Sequence, residues 1–150
     1  MTHWLRVNEI QDRLLSAMAQ GEHCKARESY LELLQASKEW LFKVQQSDSL
    51  AARQRARQLT DSLESIANIL NRNEQLVRMD APFLIGEHVE IERVEFGLRF
   101  VWVPGTIADF RPAAIRARQL RNPRALDYLV REDDGEERWR ADEGIRKRGD

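Results

Sequence analysis

Met79-Asp80-Ala81-Pro82-Phe83-Leu84-Ile85-Gly86-Glu87-His88-Val89-Glu90-Ile91-Glu92 is the stretch where the chain changes character. Before Asp80 there is no proline and a single glycine, Gly21; from Pro82 onward come all four prolines and the other six glycines. These two residues punctuate local structure, so the first part reads as helices and the second as short strands joined by turns. The expected class is α+β, with residues 1–80 as a helical arm and 83–148 as a separate β domain.

Downstream, the pattern has period 2. Val89 and Ile91 point one way and Glu90 and Glu92 the other, as in a half-buried strand. Phe96-Gly97-Leu98 makes a turn, and a second strand runs from Arg99 to about Phe110, with Pro104-Gly105 marking a bulge or an edge. Arg111 to Arg124 is read as a loop. Leu126 to Arg131 forms a third strand, Asp133-Asp134-Gly135 a tight turn and Glu137 to Arg140 a fourth strand. Asp142-Glu143-Gly144 offers one helical turn before a last strand, Ile145-Arg146-Lys147. Five short antiparallel strands in so few residues fit a small SH3-like barrel, which would also remove exposed edges.

Upstream, three helical segments are expected. Asn8 offers a cap for the first, with Val7, Ile10, Leu14 and Ala17 on one face and Gly21 at its end. The second, Glu22 to about Gln46, carries Ala26, Tyr30, Leu33, Ser37, Trp40 and Val44 at 4-3-4-3-4 spacing, widened by Leu34 and Leu41. Ser47-Asp48-Ser49 breaks the pattern and caps a third that runs to about Met79. There Ala52, Ala56, Leu59, Leu63, Ile66, Leu70, Asn73 and Val77 keep an alternating 4-3 spacing. At 1.5 Å per residue this helix is roughly 45 Å long. Two arrangements fit: a helical hairpin or three-helix bundle within one chain, or a coiled coil that also forms a homodimer, with Asn73 as a polar residue setting the register.

The 24 Lys and Arg residues nearly balance the 25 Asp and Glu, for a formal charge of -1. That excludes a histone-like polycation or an acidic tail protein, so an electrostatic partner must be met by a local patch. The longest uncharged run, Phe100 to Ala108, is nine residues, far short of the roughly 20 that span a bilayer. Arg6, Glu9, Asp12 and Arg13 interrupt the place of a secretory apolar region, so no signal peptide is expected. Cys24 is the only cysteine and cannot form an internal disulfide, which suits a reducing compartment. The expectation is a soluble intracellular protein of nucleus or cytoplasm, without membrane contact.

Catalytic signatures are missing: GxGxxG, GxxxxGK[ST], HExxH and CxxC do not occur. His3, His23 and His88 stand far apart, none at metal-ligand spacing from another His or Cys. Cys24 lacks a nucleophile motif. Carboxylates cluster on expected turns, without the apolar pocket that makes one of them an acid. Neither an enzyme nor a cofactor or metal is expected.

Gly86-Glu87-His88-Val89-Glu90-Ile91, then Trp102-Val103-Pro104-Gly105-Thr106-Ile107, then Tyr128-Leu129-Val130 with Asp133-Asp134-Gly135, and finally Ile145-Arg146-Lys147 follow one another in the order and spacing of a Tudor or agenet domain. Residues 83–148 resemble that family, and the helical arm lies outside the resemblance. The resemblance implies a non-catalytic reader of chromatin proteins, methylated tails or nucleic acids. Methyl-reading members hold the cation in a cage of aromatic rings. The corresponding positions here are about Arg93, Val103, Arg131 and Asp134, none of them aromatic. A rearranged cage would draw on Phe96, Trp102, Tyr128 and Trp139; otherwise Phe100, Trp102, Tyr128 and Trp139 are the core and rim of a small barrel.

Two charge clusters complete the picture. Arg111, Arg116, Arg118, Arg121 and Arg124 lie in fourteen residues without an acid, suited either to gripping phosphates of DNA or RNA or to a solvated loop. Glu132, Asp133, Asp134, Glu136 and Glu137 crowd the tight turn, while Glu87, Glu90, Glu92 and Glu95 line the first strand. Such a concentration of acid attracts Lys/Arg-rich peptides. The leading expectation is an adaptor that binds a basic protein segment, such as a histone-like tail, through a rim of Phe96, Trp102, Tyr128, Glu132, Asp133, Asp134 and Trp139. The alternatives are nucleic-acid binding through the arginine cluster and a structural scaffold with an oligomerising arm.

Overall fold

A computed structural model describes residues 2–148. The chain divides into two compact units, the first ending at Arg72 and the second beginning at Asn73. No helix among the described residues is long and apolar enough to cross a membrane.

The first unit contains α1 (Thr2–Ala19), α2 (His23–Val44) and the greater part of α3 (Leu50–Arg78). Val7, Ile10, Leu14 and Ala17 of α1 are buried with Ala26, Leu33, Ala36, Trp40 and Val44 of α2 and Leu59, Ile66 and Leu70 of α3. Contacts between Arg13 and Glu32 and between His3 and Lys43 set α1 and α2 antiparallel. Helix α1 starts well before the expected cap, so Asn8 lies inside it. The extra turn is held by aromatic packing: Trp4 lies on Trp40 with ring centroids 4.5 Å apart. Gly21, at φ 72, closes α1. The Glu22 N–H bonds the Ala17 carbonyl and the Gly21 N–H that of Met18, the paired bonds of a Schellman cap. Ser49 caps α3 by accepting from the Ala52 N–H at 3.3 Å.

The regular seam of α3 packs within its own chain. Ala52, Ala56 and Leu63 are partly buried against the same core as Leu59, Ile66 and Leu70. Val77 departs from the expected stripe: it is exposed, and Leu76 is fully buried instead. Asn73, the polar register-setting residue of the coiled-coil arrangement, has its carboxamide engaged by the backbone of Ile85 of the same chain. Asp80, at φ 54, ends α3 as Gly21 ends α1, with the Ala81 N–H bonded to the Leu76 carbonyl.

The second unit is built on a five-stranded antiparallel sheet of order β4-β3-β2-β1-β5. Its strands are β1 (His88–Glu95), β2 (Arg99–Pro112), β3 (Leu126–Glu132), β4 (Glu137–Ala141) and β5 (Ile145–Lys147). Strands β1 to β4 form a meander, a 3-10 turn spans Asp142–Gly144, and β5 returns to pair with β1. Among the described residues no ladder joins β4 to β5, so the sheet is not closed. Val89, Ile91, Ile107, Tyr128, Val130 and Ile145 fill its inner face.

One local expectation is resolved and another corrected. The register shift in β2 lies between Ile107 and Asp109, so Pro104-Gly105 is not a bulge and pairs regularly with Glu90 and Val89; it marks the alternative expectation, an edge, because β3 joins β2 only from Gly105. Gly105 is needed there for space: a Cβ would sit 2.7 Å from Val130 Cγ1 and 3.1 Å from the Arg131 carbonyl oxygen. The expected loop from Arg111 to Arg124 instead extends β2 through Pro112 and then forms a short helix, α4 (Arg116–Arg121). Helix α4 is anchored by Arg118, buried against Asp127 and Asp142.

Hairpin β1–β2 outruns its neighbours. Strand β5 pairs with β1 only at Val89–Ile91, and β3 joins β2 only from Gly105. The remainder is a two-stranded ribbon that turns at Phe96 and Gly97, both in the left-handed region.

Candidate binding surface of the sheet unit

Alternation along the strands places Trp102, Phe100 and Val94 together on the outer face, since Val94 pairs with Phe100 and Glu92 with Trp102. These side chains are exposed, as are Phe96 and Leu98 at the tip, which are 96% and 92% accessible. Trp139 stands elsewhere on the outer face, opposite Leu129.

Each outer-face tryptophan already carries a cation of its own chain. The Arg146 guanidinium lies 4.0 Å from the Trp102 ring centroid and its Nε donates to Glu90 Oε1 at 3.0 Å. Arg111 lies 4.1 Å from the Trp139 centroid, with its Nε 3.6 Å from Asp127 Oδ2. Both combine a ring with a carboxylate, a pairing that favours a flat guanidinium. Arg146 was not singled out in the sequence, although the β1–β5 pairing that sets it beside Glu90 is the signal that finds it.

The expected rim does not assemble into one cage. Tyr128 is fully buried and packs edge-on against Phe83, with centroids 5.5 Å apart. Glu132 is also buried; neither of its carboxylate oxygens has a hydrogen-bond partner among the described residues, and Arg93 Nη1 lies 3.5 Å from Oε1. Phe96, Asp133, Asp134 and Trp139 are exposed. Of the four positions that correspond to a methyl-reading cage, Arg93 turns to Glu132 and Arg131 to Glu137, Val103 is half-buried, and Asp134 accepts from the Glu136 N–H.

Much of the acid at the β3–β4 turn is neutralised internally. Arg138 pairs with Glu136 at 2.6 Å, holding that carboxyl below its usual range, Arg131 pairs with Glu137 at 2.7 Å, and Arg148 approaches Asp133 at 3.8 Å. Carboxylate oxygens of Glu132, Asp134 and Glu136 come within 4.8 Å of one another, with Arg93 and Arg138 beside them. His88 contacts Thr106, His3 contacts Lys43, and Cys24 is exposed.

The arginine cluster is split by the fold. Arg118 donates to Asp127 at 2.6 Å and to Asp142 at 2.7 Å. Burial works against its charge, but Asp127, Asp142 and Glu143 more than offset that and raise its pKa. Arg111 is taken up by Trp139 and Asp127. Arg116, Arg121 and Arg124 are exposed and have no ion pair among the described residues.

Burial pushes the Tyr128 phenol up to about 12. Between its unfolded value near 10 and this folded value, the unfolded chain has lost a proton that the folded one keeps, so stability falls as pH rises, by about 1.4 kcal/mol per pH unit. Thermal unfolding across that window is expected to show the fall in wild type and a shallower one in Tyr128→Phe. Equal pH slopes would separate Tyr128 from the effect.

Comparison with protein-family models, with curated proteins and with solved structures finds no match to this chain.

Proposed function

We propose that this chain is a non-catalytic binding adaptor whose sheet unit is a Tudor/agenet-related, SH3-like module that recognises a basic protein segment. Support for the barrel reading comes from the four-strand meander, the 3-10 turn and the return of β5 to β1. The curl of the sheet adds to it: Arg140 of β4 donates across to the Glu92 carbonyl of β1 at 3.0 Å.

The observation that carries the functional reading is the Arg146–Trp102–Glu90 stack. Its ring and carboxylate bind a guanidinium within the chain, and the same chemistry accepts an arginine or lysine from a partner. Arg146 is then a resident competitor. Removing it frees the ring, whereas removing Trp102 destroys the site. Titrating a Lys/Arg-rich, histone-tail-like peptide is expected to give tighter binding to Arg146→Ala than to wild type and a several-fold loss with Trp102→Ala. Methylating the peptide is expected to change little, because the sites that would supply further rings are Arg93, Val103, Arg131 and Asp134. Arg146→Ala binding no better than wild type would remove the stack from the mechanism.

A second reading rests on Arg116, Arg121 and Arg124, which stand exposed on and beside α4 in a stretch with no acid. These suit the phosphates of DNA or RNA. Salt-dependent nucleic-acid binding that disappears when all three become Ala, without peptide binding, would favour this reading over the first.

A further inference from the structure

We infer that the β3–β4 turn binds a divalent cation of the calcium type between the carboxylates of Glu132, Asp134 and Glu136. Oxygens of these three side chains lie within 4.8 Å of one another. Oxygens held by one Ca2+ at about 2.3–2.6 Å are at most roughly 5 Å apart, so a single ion reaches all three without rearranging the turn.

Glu132 sets this cluster apart from an ordinary acidic turn. Asp134 and Glu136 are exposed, and exposed acids commonly gather on turns only to be solvated. Glu132, at the end of β3, is 1% exposed, and neither carboxylate oxygen has a hydrogen-bond partner among the described residues. Its cation, Arg93, stops 3.5 Å from Oε1, outside normal N–H···O bonding distance. A carboxylate taken out of water and set toward two others needs a counter-charge at close range. The backbone fixes the three side chains relative to one another. The Glu132 N–H donates to the Glu136 carbonyl at 2.8 Å, and the Glu136 N–H to Asp134 Oδ1 at 3.0 Å.

Charge around the turn is left unbalanced. Arg131 takes Glu137, Arg148 approaches Asp133, Arg138 takes Glu136 and Arg93 faces Glu132, while Asp134 has no ion pair among the described residues. The two guanidiniums beside the cluster, Arg93 and Arg138, have side chains 33% and 45% exposed, so both can withdraw into water as an ion enters. The donor set decides the class of ion. It is all carboxylate oxygen, without a His or Cys in the group, which suits a hard cation rather than zinc. Three carboxylates at irregular spacing, with two of them exposed so that water completes the shell, fit the flexible coordination of Ca2+. Mg2+ demands a near-ideal octahedron and gives up its water reluctantly. Because Arg138 competes for Glu136, affinity falls at the weak end of the Ca2+ range, with Kd of about 10⁻⁴–10⁻³ M.

The test is a titration of the full chain with CaCl2 at constant ionic strength, read from the amide signals of Gly135 and Glu136, with MgCl2 in a parallel series. A saturable one-to-one shift with Ca2+ is expected, and one several-fold weaker with Mg2+. Glu132→Gln keeps the shape of the buried side chain but not its charge, and is expected to weaken Ca2+ binding about tenfold or more, about 1.4 kcal/mol per factor of ten. Asp134→Asn, at an exposed position where folding is not at stake, is expected to weaken it as well. Arg138→Gln removes the competing guanidinium and is expected to tighten binding several-fold. The opposite signs at Glu132 and Arg138 separate a built site from general attraction of cations to an acidic turn. No saturable shift at millimolar Ca2+ would overturn the inference. So would equal response to Ca2+ and Mg2+, or a folded Glu132→Gln variant that binds Ca2+ as wild type does.

Discussion

Replacing Arg118 with methionine is expected to cost the sheet unit about 3–5 kcal/mol. The guanidinium is buried and bridges Asp127, itself buried, to Asp142, tying α4 and the 3-10 turn to β3. Methionine fills much of the volume but leaves the Asp127 carboxylate with the Ala114 N–H and, as its cation, the more distant Arg111 at 3.6 Å. An unpaired buried charge is costly, whereas removing both partners is far less so. Arg118→Met combined with Asp127→Asn is therefore expected to recover part of the loss, because the asparagine still accepts from the Ala114 N–H that Asp127 now serves. Urea unfolding of the single and double variants gives the coupling. A loss below about 1 kcal/mol in Arg118→Met would show that solvent reaches Asp127 and that α4 is not pinned by this pair.

The same arginine marks where the sequence stops being legible. The five arginines between Arg111 and Arg124 are equivalent in composition. Their division into two anchored and three exposed side chains depends on Asp127, Asp142 and Trp139, contributed by β3, β4 and the 3-10 turn. Local pattern carries no information about such distant partners. Tyr128 and Glu132 illustrate the same limit: inward and outward positions of β3 alternate, but residue chemistry suggested an exposed rim where Tyr128, Val130 and Glu132 share the inner face. Burying Glu132 breaks the usual rule for a carboxylate, and no sequence pattern announces it.

Patterns governed by short range were legible. The apolar face of α1, the strand alternation of Val89 and Ile91, the turn at Gly135 and the helical turn at Asp142–Gly144 all follow from neighbours within a few residues. Breaks at Gly21 and Ser47–Ser49 were readable for the same reason. The start of α1 was missed because Trp4 is held by Trp40, a contact between helices. Pro104-Gly105, read as a bulge or an edge, could not be assigned to one of the two locally, since the choice depends on where β3 ends rather than on β2 itself.

Asn73→Leu discriminates two roles that look identical in the sequence. A lone asparagine in an apolar seam of a coiled coil sets register at a cost in stability, so leucine there stabilises the assembly and loosens its oligomeric state. In this fold Asn73 is buried and its carboxamide both donates to the Ile85 carbonyl, at 2.9 Å, and accepts from the Ile85 N–H. That pair of bonds pins the chain after α3 just ahead of β1. Ile85 is itself buried, so leucine would leave both of its backbone groups without water or partner. At about 1–3 kcal/mol for each unsatisfied group, with some relaxation, the expected loss is roughly 2–4 kcal/mol. The sign is thus opposite to the coiled-coil case. Hydrogen exchange of the β1 to β3 amides is the appropriate readout, because it reports the sheet unit separately from α1 and α2. Faster exchange in Asn73→Leu, at the oligomeric state of the wild type, is the expected result. Slower exchange with a changed mass would return Asn73 to a seam between chains.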